Sequence, residues 1–267
     1  MGNYSYKPLI EDMTWSYSRV SSFDSCPNAW FLKYIKGKQE HGMFYSSFGK
    51  LVHNIIERYY RGEIEKDAML MEFLTRFSNE VVGEKPDEKI VNGYINGAAS
   101  YFSEFHPLPY KMIDVEKSIS FTIGDKKFVG IIDYIGLDGD DICIVDNKSG
   151  NLKPRSKRKY PTQKDMELDI KLRQLYIYSE AIKNEYGKYP AKLCFNCYRT
   201  GVLIEEPFIM SEYENAIAWA LGEISKIEDE KYFIADPDYF RCRWLCGYNT
   251  SCEEYEEYLK DRRHRRR

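Results

Sequence analysis

Apolar residues recur with a helical period in several parts of the chain. Between Phe48 and Tyr60 the apolar positions fall three or four residues apart, which predicts a helix over about 47–61 with one buried face. A second pattern predicts a helix from about Lys164 to Tyr186 that stops at Gly187, because glycine readily adopts the left-handed cap conformation. Further helices are predicted near 18–36 and 212–230, with a helical insertion over 62–110.

Other segments are typical of strands. The sequence predicts strands near 112–123, 127–136, 141–147, 190–199 and 202–209. Strands interspersed with long helices favour an α/β fold with a central mixed sheet flanked by helices. The chain has 267 residues, of which 43% are hydrophobic and 30% charged, and it contains no Gly/Ser-rich or Pro-rich linker. We therefore expect one domain spanning residues 1–267.

Residues 131–150 contain two carboxylates and a lysine on neighbouring predicted strands. One carboxylate lies on the first strand, and the second lies two residues before the lysine on the next strand. Because side chains alternate along a strand, Asp146 and Lys148 point to the same face, whereas Asn147 points away and leaves its carbonyl near the site. Asp133 reaches the same place from the neighbouring strand. Carboxylate oxygens suit Mg²⁺ or Mn²⁺. A surface hairpin with acidic turn residues is the alternative, but it leaves the charged end of an apolar strand unexplained.

Four short motifs follow one another along the chain. They are His53 on an early helix, Gly130-x-x-Asp133, Asp146-Asn147-Lys148 and Gln174-x-x-x-Tyr178 on a later helix. Their order resembles the RecB/AddB-type branch of the PD-(D/E)XK nuclease superfamily, over roughly residues 16–255. The resemblance implies a restriction-endonuclease-like core and a Mg²⁺- or Mn²⁺-dependent deoxyribonuclease.

The resemblance also implies roles for individual residues. The implied catalytic residues are Asp133, Asp146, Lys148, Gln174 and Tyr178. The implied metal ligands are His53, Asp133, Asp146 and the carbonyl of Asn147. A histidine ligand favours manganese at least as much as magnesium. From the residues alone, His53 is equally typical of a histidine at the edge of a core, and Tyr178 of a packing residue.

Three of the seven cysteines are crowded into the segment CRWLCGYNTSC, at Cys242, Cys246 and Cys252. No signal peptide or long apolar segment precedes them, so we expect a cytoplasmic protein with reduced thiols, which favours a metal or cluster site. The stretch around Cys26 resembles iron–sulfur members of the same branch. That resemblance implies a [4Fe–4S] cluster on these four cysteines, joining residues 16–36 to residues 238–256.

The cysteine pattern departs from the family in one respect and leaves alternatives open. Cys242 and Cys246 are separated by three residues, where the family more often has two. Four thiolates also suit zinc, and unliganded structural cysteines are a third interpretation. The remaining cysteines are interpreted as packing residues of strands, at Cys143, Cys194 and Cys197.

The net charge of −3 argues against broad coating of nucleic acid, but local charge matters more than the total. A basic loop follows Lys148, and we expect it to contact DNA phosphates. Its cationic residues are Lys153, Arg155, Lys157, Arg158 and Lys159. A solvated loop without a partner is the alternative. Residues 257–267 form a separate basic tail.

These features favour a nuclease acting on DNA that is single-stranded or has free ends, in a bacterial cell or a phage-infected host. The chain lacks a phosphate-binding loop of the G-x-x-x-x-G-K-[ST] type, so any motor or integrase would be a partner. No membrane partner is expected. A noncatalytic DNA-binding or assembly module and an RNA-directed nuclease are the alternatives. CRISPR adaptation, recombination or repair, and phage replication are all compatible settings.

Overall fold

The computed structural model describes residues 6–264. The helices are α1 (Lys7–Ile10), α2 (Tyr17–Ser25), α3 (Pro27–Tyr34), α4 (Phe44–Tyr60), α5 (Met69–Glu80), α6 (Glu88–Ser103), α7 (Gln163–Tyr186), α8 (Met210–Asp229), α9 (Tyr239–Trp244) and α10 (Glu253–His264). The strands are β1 (Lys111–Ile123), β2 (Lys126–Asp138), β3 (Asp141–Asn147), β4 (Lys192–Cys197) and β5 (Val202–Pro207). Short 3-10 turns occupy Lys66–Ala68 and Asn249–Ser251.

The five strands form one sheet in the order β1-β2-β3-β4-β5. Strands β1, β2 and β3 form an antiparallel meander, β4 pairs parallel with β3, and β5 pairs antiparallel with β4. A parallel pair needs a long crossover, and α7 provides it. The predicted α/β architecture, with a mixed sheet flanked by helices, is confirmed.

Two apolar cores hold the helices in place. One lies between the sheet and α7, where Leu172, Ile177 and Phe195 are almost fully buried. The other joins α4 to α5 and α6 through Phe48 and Phe73, which are fully buried. Burying one such side chain contributes about 1.5–3 kcal/mol. Helix α4 is therefore anchored along one face, and its opposite edge remains available for chemistry.

Helix α7 has distinct signals at both ends. Thr162 and Asp165 form a capping box at its start, and Gly187 has a φ of 75° directly after its end. The predicted helix over 164–186 is thus confirmed. None of the described helices, including the 24-residue α7, combines the length and apolar character needed to cross a membrane.

The structure departs from the predicted elements at both termini. The helix predicted over 18–36 is two helices, α2 and α3, because Cys26 is extended between them and Pro27 occupies the first position of α3. A residue that precedes proline avoids the helical conformation. Within the predicted basic tail, residues 257–264 continue α10, and residues 265–267 lie outside the described part of the chain.

Candidate active site

The end of β3 brings an acid and a base together. Asp146 is buried, and its Oδ2 lies 2.7 Å from the Lys148 ammonium. The Lys148 backbone N–H donates to the Asn196 carbonyl (2.9 Å), which extends the pairing of β3 with β4 beyond the strand. Lys148 Nζ also donates to Gln174 Oε1 at 3.4 Å. The backbone ladder therefore fixes where these charged side chains stand.

Asp133 and His53 meet at the same strand end. The backbone N–H of Asn147 donates to Asp133 Oδ2 (2.7 Å), and His53 Nδ1 lies 3.4 Å from that oxygen. The second ring nitrogen of His53, Nε2, lies 2.8 Å from the Asn147 carbonyl oxygen and donates to it, because a carbonyl only accepts. The His53 ring thus lies between two of the oxygens expected to bind metal, those of the Asp133 carboxylate and the Asn147 carbonyl.

Glu116 is a further acid of this site that the sequence did not indicate. It lies on β1 between residues whose register partners flank Asp133, and its backbone has a φ of 48°, which is unusual for a residue other than glycine. Among the described residues, His53, Glu116 and Asp133 form the one group of three possible ligands with atoms all within 4.8 Å. No motif spacing marks Glu116, since its position depends on strand register.

Burial and mutual repulsion perturb the acids of this site. Burial, followed by the charge of Asp146, raises the pKa of Asp133 to about 6. Burial, followed by the charge of Asp133, raises the pKa of Glu116 to about 7. Burial opposes the charge of Lys148, but attraction by Asp146 outweighs it and the Lys148 pKa is raised. Lys148 thus stays an ammonium at neutral pH, but its single positive charge does not balance the negative charges of the neighbouring carboxylates.

One face of α7 completes the site. Gln174 and Tyr178 lie one turn apart, and the Tyr178 ring covers Gly130, where an added Cβ would be 2.7 Å from ring carbons. The glycine of one motif therefore makes room for the tyrosine of another. Lys171 lies one turn before Gln174, is exposed, and acts electrostatically on the same site. Although much of the Lys171 side chain is exposed, neighbouring atoms crowd its ammonium group, and this local burial, followed by the charge of Lys148, lowers its pKa. The sequence analysis missed Lys171, although its spacing from Gln174 would have indicated a shared face.

Two clefts flank these residues. The first, here called the α4 cleft, has a volume of about 390 Å³ and is lined by α4 residues, including Tyr45 and His53, and by Glu116. The second, here called the serine cleft, has a volume of about 770 Å³ and is lined by several serines together with Gln174 and Tyr178. The α4 cleft thus reaches Glu116 and His53, and the serine cleft reaches the Gln174 and Tyr178 face of α7.

The basic loop after Lys148 is attached to α7 and β5. Arg155 pairs with Asp169 (2.6 Å) and with Glu206 (2.8 Å), so its charge is already balanced within the protein. The carboxylate of Asp165 accepts bonds from the backbone and hydroxyl of Ser156, which holds the loop against the start of α7. The other predicted cations of the loop are exposed, namely Lys153, Lys157, Arg158 and Lys159.

The four cysteines expected to share a ligand lie together. Cys26, Cys242, Cys246 and Cys252, called the cysteine site below, line one cavity of about 20 Å³. Burial is the main cause that raises the pKa of the three late thiols, and for each of them the charge of Cys26 adds to it. The remaining cysteines are buried in or beside the sheet, as expected for packing residues, at Cys143, Cys194 and Cys197.

The chain is similar to known proteins in sequence and in fold. Residues 14–253 match the sequence model of the PD-(D/E)XK nuclease superfamily. A crystal structure of a candidate exonuclease from Eubacterium rectale superposes with a TM-score of 0.54 and 13% identity, covering 96% of this chain and 91% of that one. The structure of SSO0001 has a TM-score of 0.32 and 13% identity over 89% of this chain and 95% of that one. No curated protein sequence matches.

The fold and the site therefore define a class of protein that hydrolyses phosphodiester bonds. The chain belongs to the PD-(D/E)XK nuclease superfamily, because the family match covers most of its length. The mixed sheet with flanking helices is the restriction-endonuclease-like fold of that family. Nucleases of this superfamily use divalent metal ions, and the group of His53, Glu116 and Asp133 has the donor atoms that such an ion needs.

Proposed function

We propose that this protein is a metal-dependent DNA nuclease, most active as an exonuclease or end-processing nuclease on single-stranded DNA. The observation that carries the proposal is the convergence of four side chains near the end of β3, each within 3.4 Å of another or of the Asn147 backbone. They are Asp133 from the middle of β2, Asp146, His53 and Lys148. Asp146 is buried and Asp133 is nearly so, and this pair has no evident structural purpose, because each carboxylate opposes the burial of the other.

The residues present suit a bound Mn²⁺ or Mg²⁺. Asp133, Asp146, His53 and the Asn147 carbonyl would hold the ion, with Glu116 as a further carboxylate on the α4 side. When bound, the ion activates water and offsets the charge that develops on the phosphate. Burial and the charge of Asp146 raise the pKa of Asp133 and so disfavour its carboxylate form, and a bound cation would relieve that cost. With a histidine ligand, manganese should support activity at least as well as magnesium.

The remaining side chains of the site either act on the substrate or position a residue that does. Lys148, kept protonated by Asp146, stabilises negative charge at the reacting phosphate. Gln174 holds the Lys148 ammonium through its Oε1, and Tyr178 packs behind it on Gly130. Lys171 adds a second cation on the same face of α7, suited to a neighbouring phosphate.

DNA would also meet the basic loop. Lys153, Lys157, Arg158 and Lys159 are exposed on the segment that follows the catalytic lysine, and they suit contacts with phosphates away from the reacting one. Arg155 was expected to join them, but its two carboxylate partners assign it to holding the loop in place. A helicase or an integrase-type protein is the kind of partner that would deliver strands or ends.

We further propose that the cysteine site binds a [4Fe–4S] cluster, with zinc as the alternative. The donor set fits either ligand, because four thiols line one cavity. Metal analysis of anaerobically purified protein, which measures both iron and zinc, decides between the two ligands.

The function is tested with single-stranded DNA labelled at its 5′ or 3′ end, incubated with anaerobically purified protein in Mn²⁺ or Mg²⁺. We expect metal-dependent cleavage that Lys148→Ala reduces about 100- to 1,000-fold, as for loss of one charge-stabilising donor. The surviving label gives the polarity. Matched duplex and RNA strands test the substrate class. If wild type and Lys148→Ala are equally inert while both bind DNA, the noncatalytic module is the better account.

A further inference from the structure

The α4 cleft is built on a single face of one helix. Tyr45, Gly49, His53 and Glu57 follow one another at intervals of four residues, and all of them line the cleft. At a rise of 1.5 Å per residue, Tyr45 lies ~12 Å along the helix axis from His53. The cleft is thus a trough that starts at the metal ligands and runs toward the beginning of α4.

A glycine keeps the floor of this trough clear. Gly49 lies midway between Tyr45 and His53, and a Cβ added there would meet nothing within 4 Å. Glycine within a helix costs about 0.5–1 kcal/mol relative to alanine. No close contact within the described part of the chain requires glycine at position 49. What the glycine provides is the open space along the floor of the trough.

An aromatic pair stands at the far end of the trough. The ring of Tyr45 lies 6.3 Å from that of Phe240, and Phe240 on α9 is 54% exposed. Tyr94 packs edge-on against the other side of Tyr45 at 5.3 Å, and the Arg199 guanidinium covers Tyr94. Tyr45 is therefore held in position, while Phe240 presents a large apolar surface to solvent next to it.

The same end of the trough is attached to the cysteine region. Phe240 is two residues before Cys242 on α9, whose first turn is capped by Asp238. The His41 N–H donates to the Gly247 carbonyl (3.0 Å), and the Tyr248 hydroxyl donates to the Lys38 carbonyl (3.1 Å). The segment before α4 and the cysteine region thus hold each other, which sets the position of Phe240 beside Tyr45.

We propose that the α4 cleft is the track for one unpaired DNA strand, and that a base of this strand stacks on Tyr45 and Phe240. This inference rests on the proposed nuclease function and adds the path of its substrate. Bases in a duplex are covered by their neighbours, whereas an unpaired base offers its face to an aromatic ring. The exposed Lys50 lies on the rim of the cleft, between His53 and the aromatic platform that Tyr45 and Phe240 form. Its ammonium suits the phosphates of such a strand.

The open floor is tested by filling it. Gly49→Met puts a long side chain into the trough and replaces a weak helix former by a strong one. We expect an unchanged or higher melting temperature and at least tenfold weaker binding of single-stranded DNA, measured by anisotropy without divalent metal. Gly222→Met is the matched control, because Gly222 also lies within a helix with nothing within 4 Å of an added Cβ and lines no described cleft. Wild-type affinity in Gly49→Met would overturn the track.

The platform is tested with a strand in which one base at a time is removed. We expect that removing the base at one particular position weakens the binding of the strand to the wild-type protein about fivefold to tenfold, as for loss of one stacked base. At that position Phe240→Ala should show no further loss, whereas Phe240→Tyr should behave as wild type. Tyr232→Ala, which removes a 75% exposed aromatic outside the clefts, is the control. Independent, additive losses in Phe240→Ala would overturn the platform.

The two proposals fail in distinguishable ways. If wild type cleaves no strand in Mn²⁺ or Mg²⁺, the nuclease function fails whatever Gly49→Met does. If wild type cleaves and both Gly49→Met and Phe240→Ala keep its Michaelis constant for single-stranded DNA, the function stands and the track is wrong. The iron content of each variant shows whether the cysteine region is intact.

Discussion

The carboxylate site and the cysteine site are held in opposite ways. Asp146 and Lys148 lie at the end of β3, Asp133 lies on β2 just beyond its pairing with β3, and the backbone bonds of these strands fix them before any ion binds. Cys26 lies at the break between two short helices, and Cys242 lies on the six-residue α9. The first site uses the fold to bring charges together, whereas the second joins two distant segments of the chain, and the proposed cluster would add to the few hydrogen bonds between them. Loss of a ligand should therefore affect activity in one and stability in the other.

Glu116→Gln should have the largest effect on the carboxylate side of this comparison. The change removes a charge beside Asp133 and keeps the shape of the side chain. We expect Mn²⁺ to bind about 10- to 100-fold more weakly, with the melting temperature of the metal-free protein unchanged or higher because repulsion is relieved. Calorimetric titration and thermal melting measure both. Unchanged Mn²⁺ affinity would remove Glu116 from the site.

Cys26→Ser tests the other side of the comparison. Loss of one of four ligands should release the cluster and separate residues 16–36 from the C-terminal region. If the link through the cluster contributes about 2 kcal/mol to the free energy of unfolding, its loss lowers the melting temperature by about 4–8 °C. Cys197→Ala is the control, since Cys197 is buried on β4 away from the cavity, and it should retain iron. Equal iron content in Cys26→Ser and wild type would contradict the assignment.

Gly130→Ala sharpens the claim that the carboxylate site is rigidly built. The added methyl would meet the Tyr178 ring at 2.7 Å, and overpacking of this kind costs about 1–3 kcal/mol. Denaturant unfolding measures the loss. Combining Gly130→Ala with Tyr178→Ala should recover part of it, because the second change removes the clash. If the double variant is as unstable as the sum of the two single changes, the contact is not what makes glycine necessary.

A smaller effect is expected from pH. The pKa of Asp133 is raised to about 6 and that of Glu116 to about 7, so both bind protons in the folded protein that they would release when unfolded. These groups thus stabilise the metal-free fold as pH falls from about 7 toward 4, and this contribution is lost as pH rises. A metal ion must displace the protons. Mn²⁺ should raise the melting temperature more at pH 7.5 than at pH 5.5, and equal shifts would contradict this.

The sequence predicted the elements that depend on local pattern. The strands around Asp133 and Asp146 and the helix ending at Gly187 follow from alternation, helical period and a cap residue. The break at Cys26 was missed, although Pro27 marks it. Contacts that depend on register or on distant partners were beyond reach.

Glu116 and Arg155 illustrate those two limits. Glu116 joins His53 only because β1 pairs with β2 in one register, which no motif records. Arg155 was expected to be free for DNA, but its partners Asp169 and Glu206 come from α7 and β5, far along the chain. Charge runs in a sequence show where cations are and leave open which of them the fold has already neutralised.

The central claim is that Asp133 and Asp146 hold the metal ion that DNA cleavage requires. The most direct measurement is the single-turnover cleavage rate of labelled single-stranded DNA across a Mn²⁺ series, for wild type, Asp133→Asn and Asp146→Asn. We predict that both variants lose at least about 100-fold in rate at low Mn²⁺ and keep the wild-type iron content. Wild-type rates and metal dependence in both variants would contradict the account.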